Sequence, residues 1–172
     1  ALRDEGADII DIGAASSHPD AGPVSPDIEI ARLAAVLPAL KDAPLSIDSF
    51  STPVQRWALA QGVAYLNDIH GFGDEGFYPE LAASDCKLIV MHMVQARGVA
   101  LRTDVPPAAI LDRVIQFFER RIAALTGTGI ARERLILAPG MGQFVGTDPE
   151  NSLILLRAIP DLKKHFGLPL LV

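Results

Sequence analysis

Four polar residues stand at the ends of apolar runs, where they could bind a flat ligand: Asp48, Asn67, Asp68 and His92. A carboxylate accepts hydrogen bonds from a heterocyclic N–H or an amino group, and an amide offers both a donor and an acceptor. Taken alone, Asp48 is better explained as a cap of the following turn, because Asp is favoured there. The repetition of the pattern by Asn67 and Asp68 one run later favours a polar pocket.

Other candidate motifs are less specific. His92 could act as a ligand or a base, although a hydrogen-bonded structural histidine is the commoner case. The loop at residues 13–20 could close over a substrate, although its composition is also that of an ordinary loop. The glycines of residues 140–146 do not have the spacing of a dinucleotide-binding loop. Since no Cys/His metal spacing, phosphate-binding Gly-Lys-Ser/Thr loop or nucleophile elbow is present in the sequence, the chemistry must come from pocket shape and polar placement.

The elements that must position these groups alternate in type along the chain. Short, continuously apolar runs are typical of parallel strands buried on both faces, and the stretches between them have helical spacing. Strands are predicted at residues 8–13, 45–48, 63–68, 87–92, 135–138 and 169–172. Helices are predicted at residues 27–40, 52–59, 107–125 and from 148 to about 167. Because parallel strands end at one edge of a sheet, the polar groups should meet there.

Two predicted helices carry an apolar stripe. The first begins at the start signals Ser25 and Pro26 and has its stripe at Ile28, Leu33, Val36 and Leu37. The stripe of the longest helix is Ile110, Val114, Phe118, Ile122 and Leu125. Both helices are therefore predicted to pack against the sheet.

The composition predicts a globular, cytoplasmic protein. The chain has 172 residues, of which 49% are hydrophobic, which is enough to form a core. The net charge of −6 argues against a nucleic-acid surface. The apolar stretches are too short to cross a bilayer, and no secretion signal is recognisable. The single Cys86 is predicted to pack as a small hydrophobe.

The two ends of the chain predict a fragment of a single domain. Residues 1–6 look like the last turns of a helix that ends at Gly6, and Val172 lies inside an apolar run. Six βα units in this length correspond to the number of residues per unit in a (β/α)₈ barrel, which needs about 250 residues in all. We therefore expect an α/β fold, a TIM-barrel fragment of about six βα units that lacks roughly one unit at each end.

A set of five motifs resembles dihydropteroate synthase over the whole chain. They are GADIIDIG from Gly6, SIDS from Ser46, NDI from Asn67, MH from Met91 and PGMG from Pro139. The loop at residues 14–21 and the segment 67–72 are more similar to the plasmid-borne, sulfonamide-resistant branch than to the usual chromosomal enzymes. Those usually carry Glu-Ser-Thr-Arg-Pro-Gly in the first loop.

The resemblance implies a transferase of folate biosynthesis. It would join 6-hydroxymethyl-7,8-dihydropterin diphosphate to p-aminobenzoate and release diphosphate. The implied cofactor is Mg²⁺, bound through the diphosphate of the substrate, with no metal ligand in this segment. The implied partners are these small molecules and, at full length, a second copy of the chain, with no nucleic acid and no membrane.

The resemblance also implies site residues. The pterin set is Asp11, Asp48, Asn67, Ile69, Met91 and Gly142. Within it Asp48 and Asn67 would be catalytic, because a carboxylate and an ordered amide stabilise the cation that forms when the C–O bond breaks. Asp11 would lie below this layer. Ser17, His18 and Pro19 would hold p-aminobenzoate.

Two positions depart from the family pattern and leave alternatives open. Ala138 stands where the family has a pterin-binding Asp, and Gln143 where an aromatic residue is expected. The lost charge-assisted hydrogen bond is worth about 1.5–3 kcal/mol, for which Phe144 or Asp148 could compensate. The alternatives are a pterin-dependent methyltransferase of the same superfamily, and a noncatalytic pterin-binding protein or decayed paralogue. This segment alone is expected to be inactive.

Overall fold

The computed structural model describes residues 2, 4–18, 20–40, 43–95 and 103–172. In these ranges the chain forms one sheet of five parallel strands, which follow one another in chain order. The strands are β1 (Ile10–Gly13), β2 (Leu45–Asp48), β3 (Tyr65–Asp68), β4 (Lys87–Met91) and β5 (Leu135–Ala138). The helices are α1 (Pro26–Val36), α2 (Thr52–Ala60), α3 (Tyr78–Ala82), α4 (Pro107–Gly127) and α5 (Pro149–Phe166). The predicted α/β class is confirmed, and the described strands do not close into a barrel.

The strand predictions hold for five of the six segments. β2 and β5 have the predicted bounds, whereas β1, β3 and β4 are each shorter by one or two residues. The predicted strand at residues 169–172 is wrong. Only Leu170 pairs with β5, through an isolated bridge to Leu137, and the ladder does not continue beyond it.

The predicted end of an N-terminal helix falls only partly within the described residues, because residues 1 and 3 lie outside them. Residues 4–6 form a turn, in which Ala7 N donates to Leu2 O at 3.0 Å. Gly6 has a φ of +99°, a left-handed conformation that glycine adopts without steric cost. A left-handed residue followed by this bond from Ala7 N to Leu2 O is the geometry of a helix C-terminus, with Gly6 at the predicted position.

The core lies between the sheet and the helices. Side chains alternate across each strand, so one set from each strand packs against the helices. Ile47, Leu66, Leu88 and Leu137 form this helix-facing set and are fully buried. The predicted stripe of α4 is buried along its whole length. None of the described helices is both long and apolar enough to span a membrane.

The predicted stripe of α1 is partly wrong. Leu33 is buried as expected, but Ile28 and Val36 are 49% and 42% exposed. The buried face is rotated, because Glu29 rather than Ile28 lies on the same side as Leu33 and is only 4% exposed. Cys86 is buried, as predicted, and burial raises the pKa of its thiol to about 11.

Candidate functional site

Three polar side chains lie on the sheet face that is turned away from the helices. Asp48 at the end of β2 is in register with Gly13 of β1 and with Asn67 of β3. Asn67 Nδ2 donates a hydrogen bond to Asp11 Oδ2 at 3.3 Å. We call Asp11, Asp48 and Asn67 the polar wall. The register places Asp11 one layer below the other two, level with Ser46, as the sequence predicted, and its carboxylate nevertheless reaches Asn67.

Asp48 offers a carboxylate whose hydrogen-bonding capacity is unused by the described residues. It is partly buried, and no hydrogen bond to its side chain is formed within the described ranges. Burial is the main reason that its pKa rises to about 7, and the negative charges of Asp11, Asp68 and Glu29 raise it further. This carboxylate would gain most from a ligand that donates N–H groups to it.

Asn67 has a similar unused acceptor. Its amide nitrogen is held by Asp11, but its Oδ1 is buried and has no hydrogen-bond partner among the described residues. A buried polar atom without a partner costs free energy, and a ligand that donates a hydrogen bond to Asn67 Oδ1 would remove that cost. The polar wall therefore presents two acceptors, one from Asp48 and one from Asn67, at the same edge of the sheet.

Asp68 does not belong to the polar wall. It lies on the helix-facing side of β3 and is 3% exposed. Its carboxylate accepts hydrogen bonds from the backbone N of His70 at 2.7 Å and of Phe72 at 3.0 Å. The sequence predicted that Asn67 and Asp68 would face one ligand together. This prediction is wrong, because consecutive side chains of a strand point to opposite faces. Asp68 instead fixes the loop after β3.

The apolar residues of the expected pterin set follow β3 and end β4. Ile69 is buried directly after β3, and Met91 is partly buried at the end of β4, where it pairs with Ala138. His92 is buried, and its Nδ1 lies 3.1 Å from Pro139 O. Burial is the main cause that lowers the pKa of His92 to about 4. A buried ring that is hydrogen-bonded to the backbone is what the interpretation of His92 as a structural histidine predicts.

The segment after β5 turns sharply behind β4. Gly140 has a φ of +80°, and a Cβ there would lie 2.5 Å from His92 O, so the turn requires glycine. Gly142 is exposed, and its backbone N donates to Ser152 Oγ at 2.9 Å. Asp148 Oδ1 accepts from Glu150 N and caps α5. One carboxylate oxygen of Asp148 is therefore committed to this cap.

The loop after β1 lies at the same edge of the sheet as the polar wall. Ser17 is partly buried and His18 is exposed, whereas Pro19 lies outside the described residues. Asp20 N donates to His18 Nδ1 at 3.2 Å, and Ala21 N donates to His18 O at 3.0 Å. A cavity of about 570 Å³ separates this loop from the loop after β2.

A second polar cluster lies behind the polar wall, and the sequence analysis missed it. Ser49 Oγ donates to Glu29 Oε2 at 2.9 Å, and Gln55 Nε2 donates to Ser49 O at 2.7 Å and to Asp68 Oδ2 at 3.0 Å. We call Glu29, Ser49, Gln55 and Asp68 the buried relay. The signal in the sequence was the position of Glu29, four residues before Leu33 and thus on the apolar side of α1.

The described residues do not form an obvious metal site. In the ranges that the structure covers, no three His, Cys, Asp or Glu side chains come together so that they could hold a metal ion. Mg²⁺ in enzymes is often bound by one or two carboxylates together with substrate phosphates. The polar wall supplies two carboxylates, of which one already accepts a hydrogen bond from Asn67.

Comparison with known proteins identifies the family of the chain. The family profile described as pterin binding enzyme matches residues 1–172. The type-2 dihydropteroate synthase of Escherichia coli is 56% identical over 173 residues, which cover 99% of this chain and 64% of that protein. The chain thus spans just under two thirds of the length of this curated relative.

Solved structures show the same similarity in three dimensions. Dihydropteroate synthase from Anaplasma phagocytophilum, with bound 6-hydroxymethylpterin-monophosphate, has a TM-score of 0.88 and 34% identity, and the match covers 98% of this chain and 68% of that chain. The enzyme from Xanthomonas albilineans with 4-aminobenzoic acid has a TM-score of 0.82 and 32% identity, covering 98% of this chain and 59% of that one. The chain therefore belongs to the family of pterin-binding enzymes, and within that family to the dihydropteroate synthases.

Proposed function

We propose that the complete protein is a dihydropteroate synthase, and that this chain is the central part of its single pterin-binding barrel domain. In the proposed reaction the aniline nitrogen of p-aminobenzoate forms a bond to the methylene carbon of 6-hydroxymethyl-7,8-dihydropterin diphosphate. The C–O bond to the diphosphate breaks, diphosphate leaves with the bonding electrons, and the nitrogen loses one proton. The observation that carries the proposal is the pair of unused acceptors at Asp48 and Asn67.

Each acceptor has a role in this proposal. The Asp48 carboxylate accepts hydrogen bonds from the N–H and amino groups at the edge of the pterin, and Asn67 Oδ1 accepts another. Breaking the C–O bond leaves positive charge on the pterin. A fixed carboxylate and a fixed amide dipole in a partly buried site stabilise that charge without having to reorient. Asp11 holds the Asn67 amide by its nitrogen, which directs the oxygen towards the ligand.

The other residues of the expected site keep the roles that the family resemblance implies. Ile69 and Met91 line the faces of the pterin, and Gly142 lies at the turn beyond Ala138. Ser17, His18 and Pro19 hold p-aminobenzoate. Support for this substrate comes from the relative that was solved with 4-aminobenzoic acid. Support for the pterin comes from the relative that was solved with 6-hydroxymethylpterin-monophosphate.

The remaining features belong to the complete protein. We assign Mg²⁺ to the diphosphate of the substrate, as the family resemblance implies. The complete protein is proposed to be a cytoplasmic homodimer. Its resistance to sulfonamides is proposed from the loop at residues 14–21 and from the similarity to a type-2 enzyme.

The experiment is an assay of the full-length protein. With pterin diphosphate, p-aminobenzoate and Mg²⁺, we expect formation of dihydropteroate and of an equal amount of diphosphate. Omission of p-aminobenzoate is the control. Binding of the pterin without formation of product would overturn the proposal in favour of a noncatalytic protein, and methyl transfer from methyltetrahydrofolate would favour the methyltransferase. Repeating the assay with a sulfonamide tests the proposed resistance.

A further inference from the structure

We propose that Glu29, Ser49 and Gln55 are positioning residues, which with Asp68 hold the two catalytic strand ends in one fixed arrangement for the pterin. The inference rests on the proposed function, and it concerns residues to which the family resemblance gave no role. All four members of the buried relay are at most 5% exposed. Their side chains lie on the helix-facing side of the sheet, so their effect on a pterin bound at the other face is transmitted through Asp48 and Asn67.

The relay is connected to both catalytic residues through the chain itself. Ser49 directly follows Asp48, and Asp68 directly follows Asn67. Ser49 is held by its hydroxyl to Glu29 and by its carbonyl to Gln55, and Gln55 also donates to Asp68. Each catalytic side chain therefore has a neighbour that is anchored on the opposite face. Movement of either strand end would break a buried hydrogen bond.

The relay also reaches the loops around the site. Asp68 holds the backbone of His70 and Phe72, and Phe72 has a φ of +60°, which is uncommon for a residue with a side chain. On α1, one turn after Glu29, Arg32 Nη1 donates to Ala14 O at 2.7 Å, at the start of the loop after β1. The loops that follow β1, β2 and β3 are thus tied together by α1, α2 and the relay.

The location of these polar groups argues for more than a packing role. Elsewhere on the helix-facing side, the strands present apolar residues such as Leu88, Val90 and Leu137. Burying the carboxyl groups of Glu29 and Asp68 is costly, and burial raises the pKa of both. Well-packed apolar side chains would fill the same volume without this cost. The polar groups lie directly behind the catalytic strand ends, where they fix position rather than add apolar burial.

The test compares variants of the full-length protein that break the relay. Ser49→Ala removes the hydroxyl, Ser49→Thr keeps it, and Gln55→Met removes the link to Asp68 with little change of shape. Ser84→Ala is the matched control. The Ser84 hydroxyl also donates a hydrogen bond, in its case to Leu81 O, but Ser84 lies before β4, at the opposite end of the strands. For each variant we would measure the dissociation constant of 6-hydroxymethylpterin, both KM values, kcat and the melting temperature.

We expect Ser49→Ala and Gln55→Met each to raise the pterin dissociation constant and the KM for pterin diphosphate about tenfold. The KM for p-aminobenzoate should change much less, and Ser49→Thr should restore pterin binding. Since the relay acts as one unit, the double variant should bind pterin about as well as either single variant. Ser84→Ala should lower the melting temperature without changing either KM.

Two results would overturn the proposal. One is a lower melting temperature with unchanged pterin binding in both relay variants, which is the result for a purely structural cluster. The other is a wild-type protein that does not bind pterin at all. If the wild type binds pterin but makes no dihydropteroate, the proposed function fails, and the dissociation constants of the variants still decide whether the relay positions the pterin.

Discussion

Asn67 on β3 donates a hydrogen bond to Asp11 on β1 at 3.3 Å, across the intervening strand β2. In a flat sheet, strands two positions apart are separated by about 9.6 Å. The contact therefore requires the side chains to converge on a concave face, as they do on the inner face of a barrel wall. Because the nitrogen of Asn67 is engaged, its oxygen is directed away from Asp11 and has no described partner.

The first prediction concerns Asp48→Asn in the complete protein. Turnover should be lost, because an amide cannot replace a carboxylate that accepts two N–H groups and stabilises positive charge. Near-normal turnover would contradict the proposed role of Asp48 in binding the pterin. A matched control is Asp161→Asn, which changes an exposed carboxylate on α5 in the same way.

The same substitution should increase the stability of the folded protein at pH 8. The pKa of Asp48 rises in the folded state from 3.8 to about 7, so the folded state binds more protons than the unfolded state between these values. The contribution of Asp48 to the free energy of unfolding therefore falls as the pH rises through that range. Asp48→Asn cannot ionise, so the variant does not undergo this decrease. The upper limit of the gain in the free energy of unfolding is about 4 kcal/mol, since a change of one pKa unit corresponds to about 1.4 kcal/mol. Melting curves at pH 4 and pH 8 should show the gain only at pH 8.

A further prediction concerns the pH dependence of kcat/KM for the pterin diphosphate. The ionised form of Asp48 binds the pterin, so activity should rise with pH through about 7. Asp11 contributes to the high pKa of Asp48 through its negative charge. Asp11→Asn should therefore shift the acidic limb of the profile to lower pH, whereas Asp161→Asn should leave it in place. An unchanged profile in Asp11→Asn would mean that another group controls the limb.

Ala138→Asp should raise the affinity for the pterin. Ala138 pairs with Met91 and is buried at the end of β5, and the family has a pterin-binding Asp at this position. A charge-assisted hydrogen bond of about 1.5–3 kcal/mol corresponds to a gain of about ten- to a hundredfold. Calorimetric titration of 6-hydroxymethylpterin measures this change, with Ala138→Asn as the uncharged control. An unchanged dissociation constant would indicate that other residues have rebuilt this part of the pocket.

Gly140→Ala should destabilise the protein more than Gly129→Ala. Both glycines have positive φ, which costs an alanine about 1–2 kcal/mol. At Gly140 the new Cβ would also lie 2.5 Å from His92 O, whereas at Gly129 it would have no neighbour within 4 Å. We expect an additional loss of about 1–3 kcal/mol at Gly140 in denaturant unfolding. Equal losses at the two positions would contradict the tight turn behind β4.

The sequence predicted the elements well where a single interaction dominates. The α4 stripe from Ile110 to Leu125 is entirely buried, because a long amphipathic helix has one low-energy way to face a sheet. The rotation of α1 was mispredicted for the opposite reason. Glu29 is buried in place of Ile28, since its carboxylate finds Ser49 as a partner that is twenty residues away in the chain.

The same distinction between local sequence effects and contacts of distant segments applies to the candidate functional site. The amino-acid sequence by itself determined the parallel α/β fold, the family and the grouping of Asp48 with Asn67, because strand periodicity and motif spacing are local properties of the chain. Tertiary structure alone decided that Asp11 touches Asn67 and that a buried relay lies behind them. These contacts depend on strand register, sheet curvature and helix rotation, which are fixed only when distant segments pack together.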